Sequence, residues 1–157
     1  MINVASEPFD PGAELSAFEK KASGAGAVVS FVGKVRAIAG GDPVKALYLE
    51  HYPGVTERSI GEIEAKARQR WEIEDALIIH RVGALEPGEP IVMVCVASAH
   101  RREAFEAADF LMDYLKTEAM FWKKEIRKSG EAWIEPRKED YKDAARWRQP
   151  ARNDEEE

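Results

Sequence analysis

With one cysteine and three histidines among 157 residues, the chain has little from which to build a disulfide or metal framework. Cys95 alone can close no intrachain disulfide and no cysteine-based zinc site. His51, His80 and His100 stand apart, and no pair has the short spacing typical of metal ligands. No metal and no cofactor are therefore expected. Long apolar runs are missing too: the longest, Ile91 to Ala97, is far too short to span a bilayer. Met1-Ile2-Asn3-Val4 is not a basic stretch leading into an apolar one, so no secretory signal is visible and cytoplasm is the default. An excess of positive charge is also lacking. The formal net charge of −6 argues against nucleic-acid binding driven by counterion release. There is no glycine-rich phosphate loop and no nucleophile elbow.

What is present is a globular composition, 45% apolar and 33% charged, of a length that suits one domain. Part of the negative charge is terminal: Asp154, Glu155, Glu156 and Glu157 against Arg152 contribute −3. The body is only mildly acidic, so a basic cluster inside it would be a local feature. The pattern predicts a short helix over Pro11–Lys21, a strand over Ala27–Val35, a turn or mobile loop over 39–43 and a half-buried strand over Ala46–His51. A helix follows, with Thr56 as N-cap and an Ile60, Ile63, Ala67 stripe, reaching about Trp71. Strands are expected over Ala76–Val82 and Pro90–Ser98, the second central, with a turn at 86–89 between them. A long helix is then expected from Arg101 to Arg127, with Phe105, Ala108, Leu111, Met112 and Leu115 on its apolar face. Trp133 and Ile134 suggest a last short strand. Beyond Lys138 the chain reads as polar, ending in an acidic, disordered tail over 148–157. The fold class is α+β, a single domain with a mostly antiparallel sheet and packed helices. Cys95 falls inside the central strand and reads as an inert core thiol. Any sulfur chemistry would need a donor from outside the chain.

Three stretches carry charge where chemistry could use it. Lys116 and Lys123 are seven residues apart, and on a helix that spacing differs by only about 20° in direction. Both would project from one face, with Met112 and Met120 one turn either side of Lys116. An apolar setting partly desolvates a lysine and favours its neutral, nucleophilic form. A lysine snorkelling from a core stripe has the same spacing. Ser98-Ala99-His100-Arg101 stands at a strand-to-helix junction, where free backbone N–H groups favour an anion. Bases at a helix N-terminus oppose its dipole, so His100 and Arg101 make most sense with an anion present. Gly33-Lys34-Val35-Arg36 ends a strand beside a glycine loop, an arrangement that suits an anion clamp or an ordinary solvated strand end. Arg137 could join the same patch. Arg101 and Lys116 lie roughly 22 Å apart along a helix, too far for one small ligand within one chain. If both serve one site, two copies must share it, and two-fold dimers are the commonest assembly. His51 and His80 read as structural.

Taken together, several runs resemble the MoaE family, the large catalytic subunits of molybdopterin synthase, from about Gly26 to Trp147. They are Gly26–Arg36, Leu49-Glu50-His51-Tyr52-Pro53-Gly54, His80-Arg81-Val82-Gly83, Ser98-Ala99-His100-Arg101, Asp113-Tyr114-Leu115-Lys116 and Phe121-Trp122-Lys123. The resemblance implies a domain of the α/β-hammerhead type over residues 1–147. It implies sulfur transfer from the C-terminal Gly-Gly thiocarboxylate of a small ubiquitin-like carrier subunit to cyclic pyranopterin monophosphate, forming the dithiolene of molybdopterin. It also implies a homodimer within a heterotetramer, and neither nucleic acid nor membrane as partner. Carried over by position, Lys116 and Lys123 are the catalytic pair. Lys34, Val35, Arg36, His100, Arg101, Lys124, Glu125 and Arg137 bind substrate, with His100 and Arg101 supplied by the other protomer, and Phe31 and Met112 form apolar wall. Whether Lys116 is base, electrostatic stabiliser or acyl acceptor stays open. Family members commonly carry proline where this chain has Met120; methionine would let the expected helix run straight. The rival readings are a non-catalytic scaffold for a ubiquitin-like protein and a nucleic-acid-binding domain.

Overall fold

The computed structural model describes residues 1–39 and 41–148. Its elements begin with β1 (Ile2–Ala5), α1 (Pro11–Lys21), β2 (Ala27–Lys34), β3 (Ile38–Ala39), β4 (Asp42–His51) and α2 (Val55–Arg70). They continue with β5 (Asp75–Arg81), β6 (Gly83–Leu85), β7 (Pro90–Ser98), α3 (Arg101–Thr117), β8 (Phe121–Arg127), β9 (Gly130–Ile134) and α4 (Lys138–Ala145), then a 3-10 turn at Arg146–Arg148.

Side chains alternate across a strand, and β7 uses both faces. Val92, Val94 and Val96 face one apolar cluster with Ile60, Ile63, Phe110 and Leu111, while Met93, Cys95 and Ala97 face another with Phe18. A strand apolar on both faces must be covered on both. Helices α2 and α3 pack on one side and α1 on the other, over a sheet of order β1-β5-β7-β2. Only β1 and β5 run parallel in it. Gly26 opens β2 where a Cβ would collide with the Ala99 carbonyl, so the approach to the α3 junction requires glycine there. The second sheet runs β3-β4-β8-β9, with β6 also on β4, and encloses a third cluster around Val44, Leu47, Leu49 and Leu85. This is the α+β, mostly antiparallel domain expected.

Five local expectations are corrected. Helix α3 stops at Thr117, and 121–127, read as its continuation, is a strand paired with β4 from His51↔Phe121 to Val44↔Arg127. Phe, Trp and Ile favour strands, and without β8 that edge of β4 would have unpaired backbone groups over its length. Met120 therefore lies between elements and bends no helix. Phe105, placed on the apolar face, is 62% exposed. Thr56 is not the N-cap of α2; Gly54 is, at φ +83, with its N–H donated to Glu57. The chain beyond Lys138 forms α4 and folds back on α3, with Trp147 against Trp71 and Phe110. Residues 39–43, read as a loop, contain the ends of the β3–β4 hairpin, where Ala39 pairs with Asp42. Apart from Arg148, the acidic tail lies outside the described residues.

Buried Thr56 has a different task. Its hydroxyl accepts the Tyr52 N–H at 3.0 Å and donates to the Met120 carbonyl at 2.7 Å. Ser59 Oγ takes the Met120 N–H at 3.3 Å. The start of α2 thus holds the turn that reverses the chain between α3 and β8. Thr56→Val keeps the shape but leaves two backbone groups without their partner, and should lower unfolding free energy in urea by about 1–3 kcal/mol. Phe105→Ala, on the exposed face, should stay within about 0.5 kcal/mol. Equal losses for the two would contradict this packing.

Candidate active site

The reversal at 118–120 has a chemical consequence. It brings Lys116, in the last turn of α3, and Lys123, an inward position of β8, onto one cavity of about 560 Å³. The end of β2 lines it with Phe31, Lys34, Val35 and Arg36, and α3 adds Met112 and Leu115. Glu125 enters from β8, two residues after Lys123, as strand periodicity requires. The stretch after β9 brings Glu135 and Arg137, and α4 brings Asp140 and Tyr141. Lys34, Arg36, Lys116, Lys123 and Arg137 outnumber Glu125, Glu135 and Asp140, so the cavity is biased towards anions.

The two lysines live in different surroundings. Lys116 is 48% exposed and its Nζ lies 3.9 Å from Asp140 Oδ1. Lys123 is held below the usual lysine range, chiefly by burial, then by the charge of Lys116, with Asp140 opposing. The desolvated amine is thus Lys123, whereas the apolar helix face had pointed to Lys116. Glu125 is buried and its carboxylate accepts Arg127 Nε at 2.7 Å. Asp140 accepts the Arg137 N–H at 2.8 Å and Arg137 Nη2 at 3.1 Å. Arg137 is thereby fixed at the rim.

Two groups of expected residues stay outside. Lys124 points to the other face of β8, as alternation demands, over Trp133 at 5.4 Å and beside Glu131 at 3.2 Å. His100 and Arg101 are exposed at the opposite end of α3, roughly 22 Å from Lys116 along the helix. Within this chain they do not reach the cavity. Cys95 is buried in the other cluster, where burial pushes its thiol up to about 11. It is no sulfur donor for this cavity.

Sequence reasoning missed Asp140 and His80. Asp140 gave no signal, being one acid in the charged run Lys138-Glu139-Asp140. His80 is structural in its hydrogen bonding but also lines the cavity. Its Nδ1 lies 2.8 Å from the Arg81 carbonyl, so that nitrogen carries the proton, and its ring stacks on Phe121 at 4.0 Å. Burial, the charge of Lys123 and, less, His51 lower it to about 3, against the Arg81 hydrogen bond.

Comparison with known proteins gives a consistent result. A model of the MoaE protein family matches residues 4–118. The molybdopterin synthase catalytic subunit of Cereibacter sphaeroides is 53% identical over 146 residues, covering 93% of this chain and 99% of that one. Among solved structures, the molybdopterin biosynthesis MoaE protein of Burkholderia ambifaria aligns with a TM-score of 0.80 at 44% identity, over 95% of this chain and 98% of that one. A complex of subunits 1 and 2 of the molybdopterin-converting factor of Helicobacter pylori contains the same fold. Its TM-score is 0.72 at 19% identity, over 87% of this chain and 91% of that one.

The burial of His80 has a measurable sign. Its folded pKa is depressed, so between about pH 6.5 and 3 the unfolded chain binds a proton that the folded one does not. Stability from this group is complete above 6.5 and falls on acidification towards 3, by on the order of 5 kcal/mol. NMR titration should find the His80 ring neutral, with the proton on Nδ1, down to the acid unfolding transition. A folded-state midpoint near 6.5 would contradict its burial.

Proposed function

The chain belongs to the MoaE family of molybdopterin synthase catalytic subunits, sulfur-transferring enzymes of molybdenum cofactor biosynthesis, and from that premise we propose how its cavity works. The sulfur comes from the C-terminal Gly-Gly thiocarboxylate of a small ubiquitin-like subunit, and the acceptor is cyclic pyranopterin monophosphate. What carries this reading is the meeting of Lys116 and Lys123 on one cation-rich cavity, in a chain whose only cysteine is buried elsewhere. A sulfur nucleophile must then arrive from outside, and a carrier's C-terminal tail is a slender way to bring one.

In this reading Lys34, Arg36 and Arg137 hold the anionic substrate, and Phe31 and Met112 form the apolar wall. Lys116, beside Asp140, is the fixed positive charge that stabilises negative charge developing as sulfur attacks. Lys123, desolvated and held below the usual lysine range, is the group suited to take or give a proton. Attack by the thiocarboxylate sulfur at an oxygen-bearing carbon of the pterin side chain forms a C–S bond as that carbon's C–O bond breaks, its oxygen leaving as water or with the phosphate, and so joins carrier and pterin through a thioester. Water must cleave its acyl–sulfur bond to leave sulfur on the pterin and return the carrier as a carboxylate. His100 and Arg101 serve the cavity of a second copy, giving a homodimer with one small subunit at each end. A cytoplasmic location belongs to the same reading. Among the described residues no helix is long and apolar enough to cross a membrane.

Purified chain, thiocarboxylated small subunit and cyclic pyranopterin monophosphate should yield dithiolene. Lys116→Ala and Lys123→Ala should each lower the rate by on the order of 100-fold or more, as loss of a charge-stabilising or proton-transferring group does. Undiminished turnover by Lys116→Ala would overturn the role given to that residue. Carrier binding without product from the wild type would leave a scaffold.

A further inference from the structure

Asp140 is the acid the sequence did not single out, yet it touches both ends of the cavity's positive charge. Its side chain is only 8% exposed, with Oδ1 3.9 Å from Lys116 Nζ and 3.1 Å from Arg137 Nη2. Oδ2 accepts the Arg137 backbone N–H at 2.8 Å. The carboxylate is itself anchored, because α4 is clamped to α3 just beyond it. Arg146 Nη2 bonds Asp109 at 2.6 Å and Asp113 at 2.8 Å, and Trp147 Nε1 bonds Asp113 at 2.7 Å. Burial alone would raise Asp140, but the Arg137 hydrogen bonds and the charge of Lys116 carry it below its ordinary value. It is therefore an anion at working pH.

We propose that Asp140 is a positioning residue of this cavity: it holds Lys116 and Arg137 towards the reacting end and balances their charge beside Lys123. The proposal rests on the functional reading above and assigns a role beyond the family-model match at residues 4–118. A half-exposed lysine has many rotamers open to it, and a fixed carboxylate selects those that face the cavity. Without the carboxylate, the charges of Lys116 and Arg137 remain uncompensated near Lys123. The other charged or titratable groups lining the cavity around Lys123 are His80 from β5, Glu125 from β8, Lys34 and Arg36 at the end of β2, Glu135 after β9, and Tyr141 from α4. None is altered by a change at 140, so a difference between variants isolates Asp140.

The test compares the full chain with Asp140→Asn and Asp140→Glu. Asparagine keeps an oxygen for the Arg137 N–H, so the first turn of α4 persists while the charge is lost; thermal unfolding checks that the fold holds. Trace acetic anhydride, read by mass spectrometry at Lys123 across pH, reports proton loss without substrate or carrier. Removing the anion disfavours the charged amine, so the Lys123 midpoint should move to lower pH in Asp140→Asn and return towards wild type in Asp140→Glu. In the assembled synthase, Asp140→Asn should lower kcat/KM by roughly 10–100-fold, and the limb of the pH profile belonging to Lys123 should move in the same direction. An unchanged or higher midpoint in folded Asp140→Asn overturns the proposal, as does a wild-type rate and pH profile. A lowered midpoint in a chain that makes no dithiolene would instead support the role of Asp140 in the cavity and reject the sulfur-transfer reading.

Discussion

The Thr56 hydroxyl connects two parts of the chain that would otherwise diverge. By accepting from Tyr52 and donating to Met120, it fixes the turn through which α3 becomes β8. A part-buried carbonyl that loses its partner costs up to about 1–3 kcal/mol, enough to favour one turn geometry over its neighbours. The cavity downstream depends on that geometry. Lys116 is the last-turn residue before the reversal and Lys123 an inward residue just after it, so the turn sets their separation. Pairing of β8 with β4 then fixes which side chains face in: Phe121, Lys123 and Glu125 do, whereas Lys124 cannot.

The cavity gathers positive charge that would repel itself in an empty site, and the fold manages this unevenly. Arg137 and Lys116 have Asp140 as partner. Lys123 has burial and a cationic neighbour, both of which disfavour its proton. His80, packed on Phe121, stays neutral and adds no further charge. One cation next to one amine able to exchange a proton is a useful division for the proposed reaction, in which sulfur attacks and an acyl group is later released.

Much of this was legible in the sequence, for identifiable reasons. The apolar run of β7 and the Ile60, Ile63, Ala67 stripe of α2 are set by burial, which leaves a clear period. Lys34, Val35 and Arg36 were legible because a strand ends there. The seven-residue spacing of Lys116 and Lys123 correctly joined them, but through the wrong element, since partners on β4 decide that 121–127 is a strand. Helix α4 left little trace because its anchors are tertiary: Trp147 against Trp71 and Phe110, and Arg146 against Asp109 and Asp113. Asp140 was invisible for the same reason. A lone acid acquires meaning only from what the fold sets beside it.

The most direct measurement is a crystal structure of the chain with its small subunit and cyclic pyranopterin monophosphate. Substrate density inside the cavity, with Lys116 and Lys123 both within hydrogen-bond reach of the pterin or the carrier's C-terminus, is the expected result. Substrate bound elsewhere, or 118–123 continuing as helix so that the two lysines no longer share a cavity, would contradict it.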